Sequence, residues 1–397
     1  MRLEIAQPPP TLFIRDLAAA SSFALSLEAR ELGLSVEWSN DVLVIEGDGE
    51  LLTESLRMTF DSSIKSLEDL SNYTRVPSLH QNDTGAWRKR LSMLGPPPPD
   101  YIGFAGRVLK WALNALSKGK LDIFVKELGE VKVEGRDVIL GSGVMTNLQP
   151  FKVEKYEYGK DFSDFKVKYD TKLGIPWLAY IMAGFSFTYS SFTAGEMLFS
   201  LVHDRLLGAA LRDPAFLRDI VISLKYKPSR LHEAFLGPKG LLSYPRRLKL
   251  SPDPLHAYLL LLACTLVKDF LAKPLKESLP FMLARVAFTG RTYTLMERSS
   301  VDIKPLVDFA IKLREEKDAL DFVTTLSSCA IRLSHRPDRF CSSYMGDLSK
   351  ILRATMSLYT AIIGSGDKYA TIYTIARNLR GGSVSSGILK AILSALP

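Results

Sequence analysis

Residues 151–172 read FKVEKYEYGKDFSDFKVKYDTK, and residues 173–180 continue LGIPWLAY. In the first string Lys152, Glu154, Glu157, Lys160, Asp164, Lys166, Lys168, Asp170 and Lys172 interleave with Val153, Tyr156, Tyr158, Phe165, Val167 and Tyr169. Alternation with period two, built from aromatic and β-branched residues, predicts a half-exposed antiparallel hairpin. Past Gly174 the apolar spacing becomes helical. That switch predicts an α+β protein in two parts: a mixed α/β domain with antiparallel hairpins over residues 1–172, and a mainly α-helical domain over residues 173–397.

Outward toward the N-terminus, residues 3–6 suit a short strand and residues 14–32 a helix that Gly33 ends. Residues 36–38 and 42–45 flank Ser39-Asn40-Asp41 as a hairpin, and residues 51–70 return to helical spacing. Pro96 to Pro99 form a stiff connector. Residues 101–117 are helical, and residues 131–133 and 138–140 make a second hairpin around Glu134-Gly135-Arg136. Toward the C-terminus, helical patterns occupy 176–211, 215–224, 255–271, 275–288, 303–333, 346–363, 369–379 and 384–396, with almost no strand signal. Residues 175–195 carry no charge, but they include Pro176 and six Ser, Thr and Tyr from Ser186 to Thr193. That content predicts a buried central helix or helix pair in preference to a membrane span.

A chain of 397 residues with 47% apolar content can bury two or three cores. The net charge of +8 favours an anionic partner: nucleic acid, acidic lipid and an acidic protein surface all fit. The three cysteines, Cys264, Cys329 and Cys341, form no CxxC pair. This low, odd count points to a reducing compartment and away from a disulfide framework. Glu4 and Pro8-Pro9-Pro10 interrupt any apolar leader segment, so the expected location is cytoplasmic.

No phosphate-binding GxxxxGK[ST] loop, GxSxG elbow or HExxH helix occurs. Gly141-Ser142-Gly143 lacks the third glycine of a dinucleotide site and reads as a turn. His203-Asp204 is the one pair that matches a metal-dependent phosphohydrolase, but the nearest upstream histidine is His80. It reads as an exposed helical dipeptide beside Arg205. Cys329, His335 and Cys341 have donor chemistry at a spacing that fits no common zinc pattern, and lack a fourth ligand. No catalytic residue, metal or cofactor is expected.

The candidate binding segment is residues 225–249. Lys225, Lys227, Arg230, Lys239, Arg246, Arg247 and Lys249 face one acid, Glu233. Three prolines and two glycines mark loops, and Tyr226, Phe235 and Tyr244 are interleaved. Such cations can follow phosphates while the rings stack on bases. A solvated linker between helices is the other reading. Three smaller patches are Trp87-Arg88-Lys89-Arg90; Arg332, Arg336 and Arg339 around Pro337; and Arg377 with Arg380 before Gly381-Gly382-Ser383. Each also reads as a solvated face or helix cap.

The mixed first part, the charged-aromatic string running into Lys172-Leu173-Gly174-Ile175-Pro176-Trp177-Leu178-Ala179-Tyr180, and the tail Asp367-Lys368-Tyr369-Ala370-Thr371-Ile372-Tyr373-Thr374-Ile375-Ala376-Arg377 resemble the large subunit of archaeal type I-A CRISPR effector (Cascade) complexes. The resemblance lies mainly in the C-terminal part and carries over no individual residue. It implies a non-enzymatic antiviral-defence subunit that contacts the 5′ handle of the CRISPR RNA and the DNA flanking the target. It also implies other effector subunits and a recruited helicase–nuclease as partners, and no membrane. Guide pairing would then read sequence while protein reads the flanking duplex. Two alternatives stand beside it: a phosphohydrolase built on His203-Asp204, and a helical interaction scaffold with no nucleic-acid role.

Overall fold

The computed structural model describes the chain except residues 40, 153–169, 194, 239, 250, 252, 291 and 380–383. The first elements are β1 (Arg2–Ala6), α1 (Phe13–Glu31), β2 (Ser35–Ser39), β3 (Val42–Glu46) and α2 (Gly49–Tyr73). β3 lies between β1 and β2 and runs antiparallel to both. Gly33 follows α1 at φ +80°, a left-handed conformation in which a Cβ is strained. Asp48 opens α2 by accepting the backbone N–H groups of Glu50 and Leu51. This region matches its sequence pattern element for element.

Next come α3 (Gln81–Arg90), α4 (Tyr101–Ser117), α5 (Leu121–Gly129), β4 (Val131–Glu134), β5 (Asp137–Leu140), β6 (Met145–Thr146) and β7 (Asp170–Leu173). The second sheet has the order β4-β5-β7-β6, with β5 and β7 parallel. Most of the predicted hairpin over 151–172 lies outside the described residues; its end forms β7.

α6 (Ile175–Thr188) is buried from Pro176 to Thr188 and packs against α1, α2 and α4. A helix apolar all round needs cover on every side. Its approach to α1 is close: a Cβ on Gly184 would stand 1.8 Å from the Leu17 carbonyl oxygen. Beside this contact Ser21 Oγ donates to the Tyr180 carbonyl at 2.5 Å, and Ser22 Oγ lies 2.9 Å from the Tyr180 hydroxyl.

Beyond α6 the helical reading needs correction. β8 (Tyr189–Thr193) and β9 (Glu196–Leu201) precede α7 (Asp204–Arg212), so the helix expected over 176–211 is helix, two strands and helix. α8 (Pro214–Ile222), α9 (Leu231–Leu236), α10 (Tyr244–Arg247) and α11 (Leu255–Asp269) follow, then β10 (Pro280–Phe288) and β11 (Tyr293–Asp302). The helix expected over 275–288 is therefore largely strand. These strands form a third sheet, β11-β10-β9-β8. β9 and β10 are buried along nearly their whole length, so neither shows polar alternation. A short continuous apolar run cannot be told from a buried helix by period.

The chain ends in helices: α12 (Lys304–Leu313), α13 (Lys317–His335), α14 (Arg339–Tyr344), α15 (Leu348–Ile362), α16 (Lys368–Asn378) and α17 (Ser386–Ala395). The fold is α+β, with a mixed N-terminal region and a helical C-terminal part. Packing divides it into two compact units. One holds Met1–Leu217, Pro228–Lys249 and Met282–Ser300; the other holds Arg218–Lys227, Leu250–Phe281 and Val301–Pro397. The boundary expected near residue 172 thus falls inside the first unit, because α6 is the core of the elements that precede it. In the second unit α11 packs against α12, α13 and α15.

Cys329 on α13 and Cys341 on α14 form a disulfide, where the sequence reading expected free thiols. The turn after α13 brings together two cysteines twelve positions apart. The cysteine count therefore no longer argues for a reducing compartment. Cys264 stays free and buried, and burial pushes its thiol up to about 12. Among the described residues no helix is long and apolar enough to cross a membrane.

Candidate nucleic-acid interface

The seven cations of residues 225–249 do not share one role. Lys225 and Lys227 are exposed in the second unit, and Lys225 Nζ donates to the Lys268 carbonyl. The others belong to the first unit, with Lys239 outside the described residues. Arg230 lies 3.7 Å from Glu28 and 3.9 Å from Glu31. Lys249 is exposed. The Arg247 guanidinium stands 6.0 Å from the ring centre of Tyr73.

Arg246 requires a correction. It is 1% exposed. Nη1 donates to the Ser66 carbonyl at 3.2 Å and to Ser66 Oγ at 2.9 Å; Nη2 donates to the carbonyls of Ser186 at 2.9 Å and Phe187 at 3.0 Å. Those last two carbonyls end α6, where backbone acceptors lack intrahelical partners and a positive charge is favourable. Burial lowers the Arg246 pKa to about 10, which leaves it charged at neutral pH. A guanidinium with internal acceptors and no surface cannot follow phosphates. The expected stacking rings are also spent: Phe235 and Tyr244 are buried, and Tyr226 meets Phe270 edge-on at 5.4 Å.

The cationic surface of the first unit lies elsewhere, on α3. Two anchors four residues apart fix this ten-residue helix. Trp87 is fully buried, packs edge-on against Phe104 at 4.9 Å, and donates Nε1–H to the Gly95 carbonyl at 2.9 Å. Asp83 is 2% exposed and accepts the Tyr101 hydroxyl at 2.7 Å and the Gln149 backbone N–H at 3.1 Å. Burial raises the Asp83 pKa against those hydrogen bonds. With Asp83 and Trp87 turned inward, Arg88, Lys89 and Arg90 are exposed, and none has an ion-pair partner among the described residues. They also complement the helix dipole at its C-terminus.

A groove of about 470 Å³ runs between α3 and the β6–β7 edge. Gln81, Asn82, Gly85, Ala86, Lys89 and Arg90 form one wall at helical spacing; residues 143–146 and Lys172 form the other. Among the described residues no acid lines it. Lys172 is held by Asp137 at 2.9 Å. The surrounding sequence carries the signal as local charge and not as a motif. Residues 74–120 hold Arg75, Arg88, Lys89, Arg90, Arg107, Lys110, Lys118 and Lys120 against Asp83 and Asp100, a net +6 within a chain of +8. Asp83 is buried, and Asp100 caps α4 through the Gly103 N–H at 2.7 Å. The field presented to solvent is therefore strongly positive.

A second cleft of about 470 Å³ in the same unit has balanced charge. Arg298 meets Asp16 at 2.8 Å and Arg15 meets Asp41 at 2.8 Å, with Asp204, Arg212 and Trp38 beside them. Burial raises the Asp16 pKa to about 6, opposed by Arg298. Three carboxylates against three guanidinium groups give no net pull on a polyanion. His203 caps α7, accepting the Arg205 N–H on Nδ1 at 3.1 Å, and Asp204 opens that helix. Among the described residues no group of three or more His, Cys, Asp or Glu stands where it could hold a metal ion.

No family model matches the chain, and no curated protein matches it.

Proposed function

We propose that the chain is a non-catalytic nucleic-acid-binding subunit that holds a phosphate backbone along α3 and its groove. The observation that carries this reading is the groove edged by Lys89 and Arg90, with no acid among its described lining residues, beside a segment of net charge +6. Exposed, unpaired cations attract a polyanion at long range and release its counterions on contact. The resemblance stated above supplies the setting: a CRISPR RNA-guided DNA-targeting complex, with the guide RNA 5′ handle and target-flanking DNA as ligands. Other effector subunits and the helicase–nuclease are its protein partners, and the cytoplasm is its location.

Fluorescence anisotropy with duplex DNA at several salt concentrations tests the groove. Each neutralised phosphate contact contributes about 0.9 to the slope of log K against log salt. Replacing Arg88, Lys89 and Arg90 together by Ala is expected to weaken binding and flatten the slope by up to about 2.7. An unchanged slope in a folded variant would remove α3 from the interface. The setting is tested separately by purifying the tagged chain from its native cells. Recovery of a discrete small RNA with several proteins is expected, and recovery without RNA refutes the guide-complex role.

A further inference from the structure

α16, in the second unit, presents a face that no described residue of that unit covers. Tyr369 and Tyr373 are 66% and 62% exposed, on the side of the helix opposite the buried Thr371 and Ile375. Arg377 continues the row one turn on: its guanidinium lies 5.8 Å from the Tyr373 ring centre and Nη1 donates to the Tyr373 hydroxyl at 3.3 Å. Lys368 Nζ lies 5.9 Å from the Tyr369 ring centre. Each exposed ring thus has its own cation. From Lys368 to Pro397 the sequence contains no Asp or Glu, against Lys368, Arg377, Arg380 and Lys390.

We infer that the outer face of α16 is a stacking track for single-stranded nucleic acid, with bases on Tyr369 and Tyr373 and phosphates on Lys368 and Arg377. Aromatic faces interleaved with cations bind single strands with little sequence preference, because every base has a π-face. Residues four apart on a helix rise about 6 Å. That is nearly twice the about 3.4 Å step of stacked duplex bases, so the row suits an extended, unstacked strand. A duplex hides its base faces and would engage only the two cations. A protein partner that seated these tyrosines would favour apolar neighbours, whereas this row ends in charge at both sides. The choice of ligand rests on the nucleic-acid reading of the chain, but the residues and the unit are different from those of the α3 groove.

The full-length chain is titrated against labelled oligothymidine and a labelled duplex of equal length. Replacing Tyr369 and Tyr373 together by Ala is expected to weaken single-strand binding on the order of ten-fold or more, with the salt slope and duplex affinity unchanged. The paired Tyr→Phe variant keeps the ring faces and is expected to bind as the parent does. Arg377→Ala is expected to lower the single-strand slope by about 0.7. Unchanged single-strand affinity in the Ala pair overturns the inference. So does equal loss in the Ala and Phe pairs, which assigns the effect to the hydroxyls. An Ala pair that still binds single strands but sheds a co-purifying protein gives the face to that protein and also overturns it. The Arg88, Lys89 and Arg90 variant reads the groove independently: a flat duplex result there, beside a selective loss in the tyrosine pair, removes the groove and leaves the track.

Discussion

Two basic runs in the first unit have opposite fates. Arg246-Arg247 and Arg88-Lys89-Arg90 both sit at the end of a helix, next to a proline-containing segment. In the first run Arg246 turns inward and holds the end of α6 together. In the second, all three side chains stay in solvent while Trp87, just before them, is buried. The difference comes from the neighbours each helix meets. α10 lies against α2 and β8, beside backbone carbonyls that no helix satisfies, and a buried acceptor is costly to leave unpaired. α3 meets Phe104, Tyr101 and the Gly95 carbonyl, which its own Trp87 and Asp83 already satisfy. A cation becomes part of the core when unpaired acceptors are within reach, and remains available to a ligand when they are not.

The strongest test of this contrast is Arg246→Ala. It removes the guanidinium donors from the carbonyls of Ser66, Ser186 and Phe187 and leaves a cavity, at a cost of about 3–5 kcal/mol. Urea unfolding followed by far-UV circular dichroism should show a midpoint at much lower denaturant. Arg246→Lys should recover only part of the loss, because an ammonium cannot reproduce the planar fork. A cost below about 1 kcal/mol would mean that the guanidinium is not an anchor, and would return Arg246 to the surface.

The sequence shows the exposed half of this fold and hides the buried half. Residues 1–73 alternate or repeat in plain view, and α1, α2 and the β2–β3 pair lie where their patterns place them. α4 spans Tyr101–Ser117, as its period requires. β9 and β10 are missed because both their faces are covered, which erases the polar half of the signal. The single helix expected over 303–333 is broken between Leu313 and Lys317 without a glycine or proline to mark the break. The site follows the same logic. Local charge is legible, so the excess at 74–120 could have been counted. Whether an arginine faces water is not legible, because it depends on the α6 carbonyls near Arg246, contributed by residues far away in sequence.

A middle-sized effect arises where Arg230 meets α1. His232 is 5% exposed, and its Nδ1 lies 3.0 Å from Oε1 of Glu28, itself 2% exposed. Burial raises the Glu28 pKa to about 7, helped by Glu31 and opposed by Arg230; burial lowers that of His232 to about 4. These opposite shifts predict that folding moves one proton from histidine to glutamate. Between about pH 4.5 and 6.5 the folded and unfolded pair bind equal numbers of protons, so the pair adds no pH dependence. Single variants expose the two halves with opposite sign. In Glu28→Gln the depressed histidine remains: stability is full above pH 6.5 and falls as pH drops toward 4. In His232→Asn the raised carboxyl remains: stability is full below pH 4.5 and falls as pH rises toward 7. Each swing is at most about 3 kcal/mol, read from unfolding midpoints across pH. Slopes of equal sign in the two variants would show that no proton is exchanged, and that the Arg230 segment is held by its ion pairs alone.

The smallest effect belongs to Arg247, and it sharpens the comparison most. It adjoins Arg246 in sequence but is only half-buried, with its guanidinium 6.0 Å from the Tyr73 ring centre. An exposed cation–π contact contributes about 0.5–1 kcal/mol, so Arg247→Ala should shift the urea midpoint slightly. Its effect on duplex binding decides what the basic run is for. If the guanidinium stays on Tyr73, the salt slope of the variant equals that of the parent, and residues 228–249 serve the fold. If it leaves Tyr73 for a phosphate, the slope falls by about 0.9, while stability still changes by less than about 1 kcal/mol. The two quantities are measured on one preparation, by anisotropy and by denaturation. The α3 variant gives the scale, since its three exposed cations should lower the slope about three times as far as one contact does. A slope change for Arg247 comparable to a single α3 contact would extend the interface to α10, and would separate two adjacent arginines into one that holds the core and one that holds the ligand.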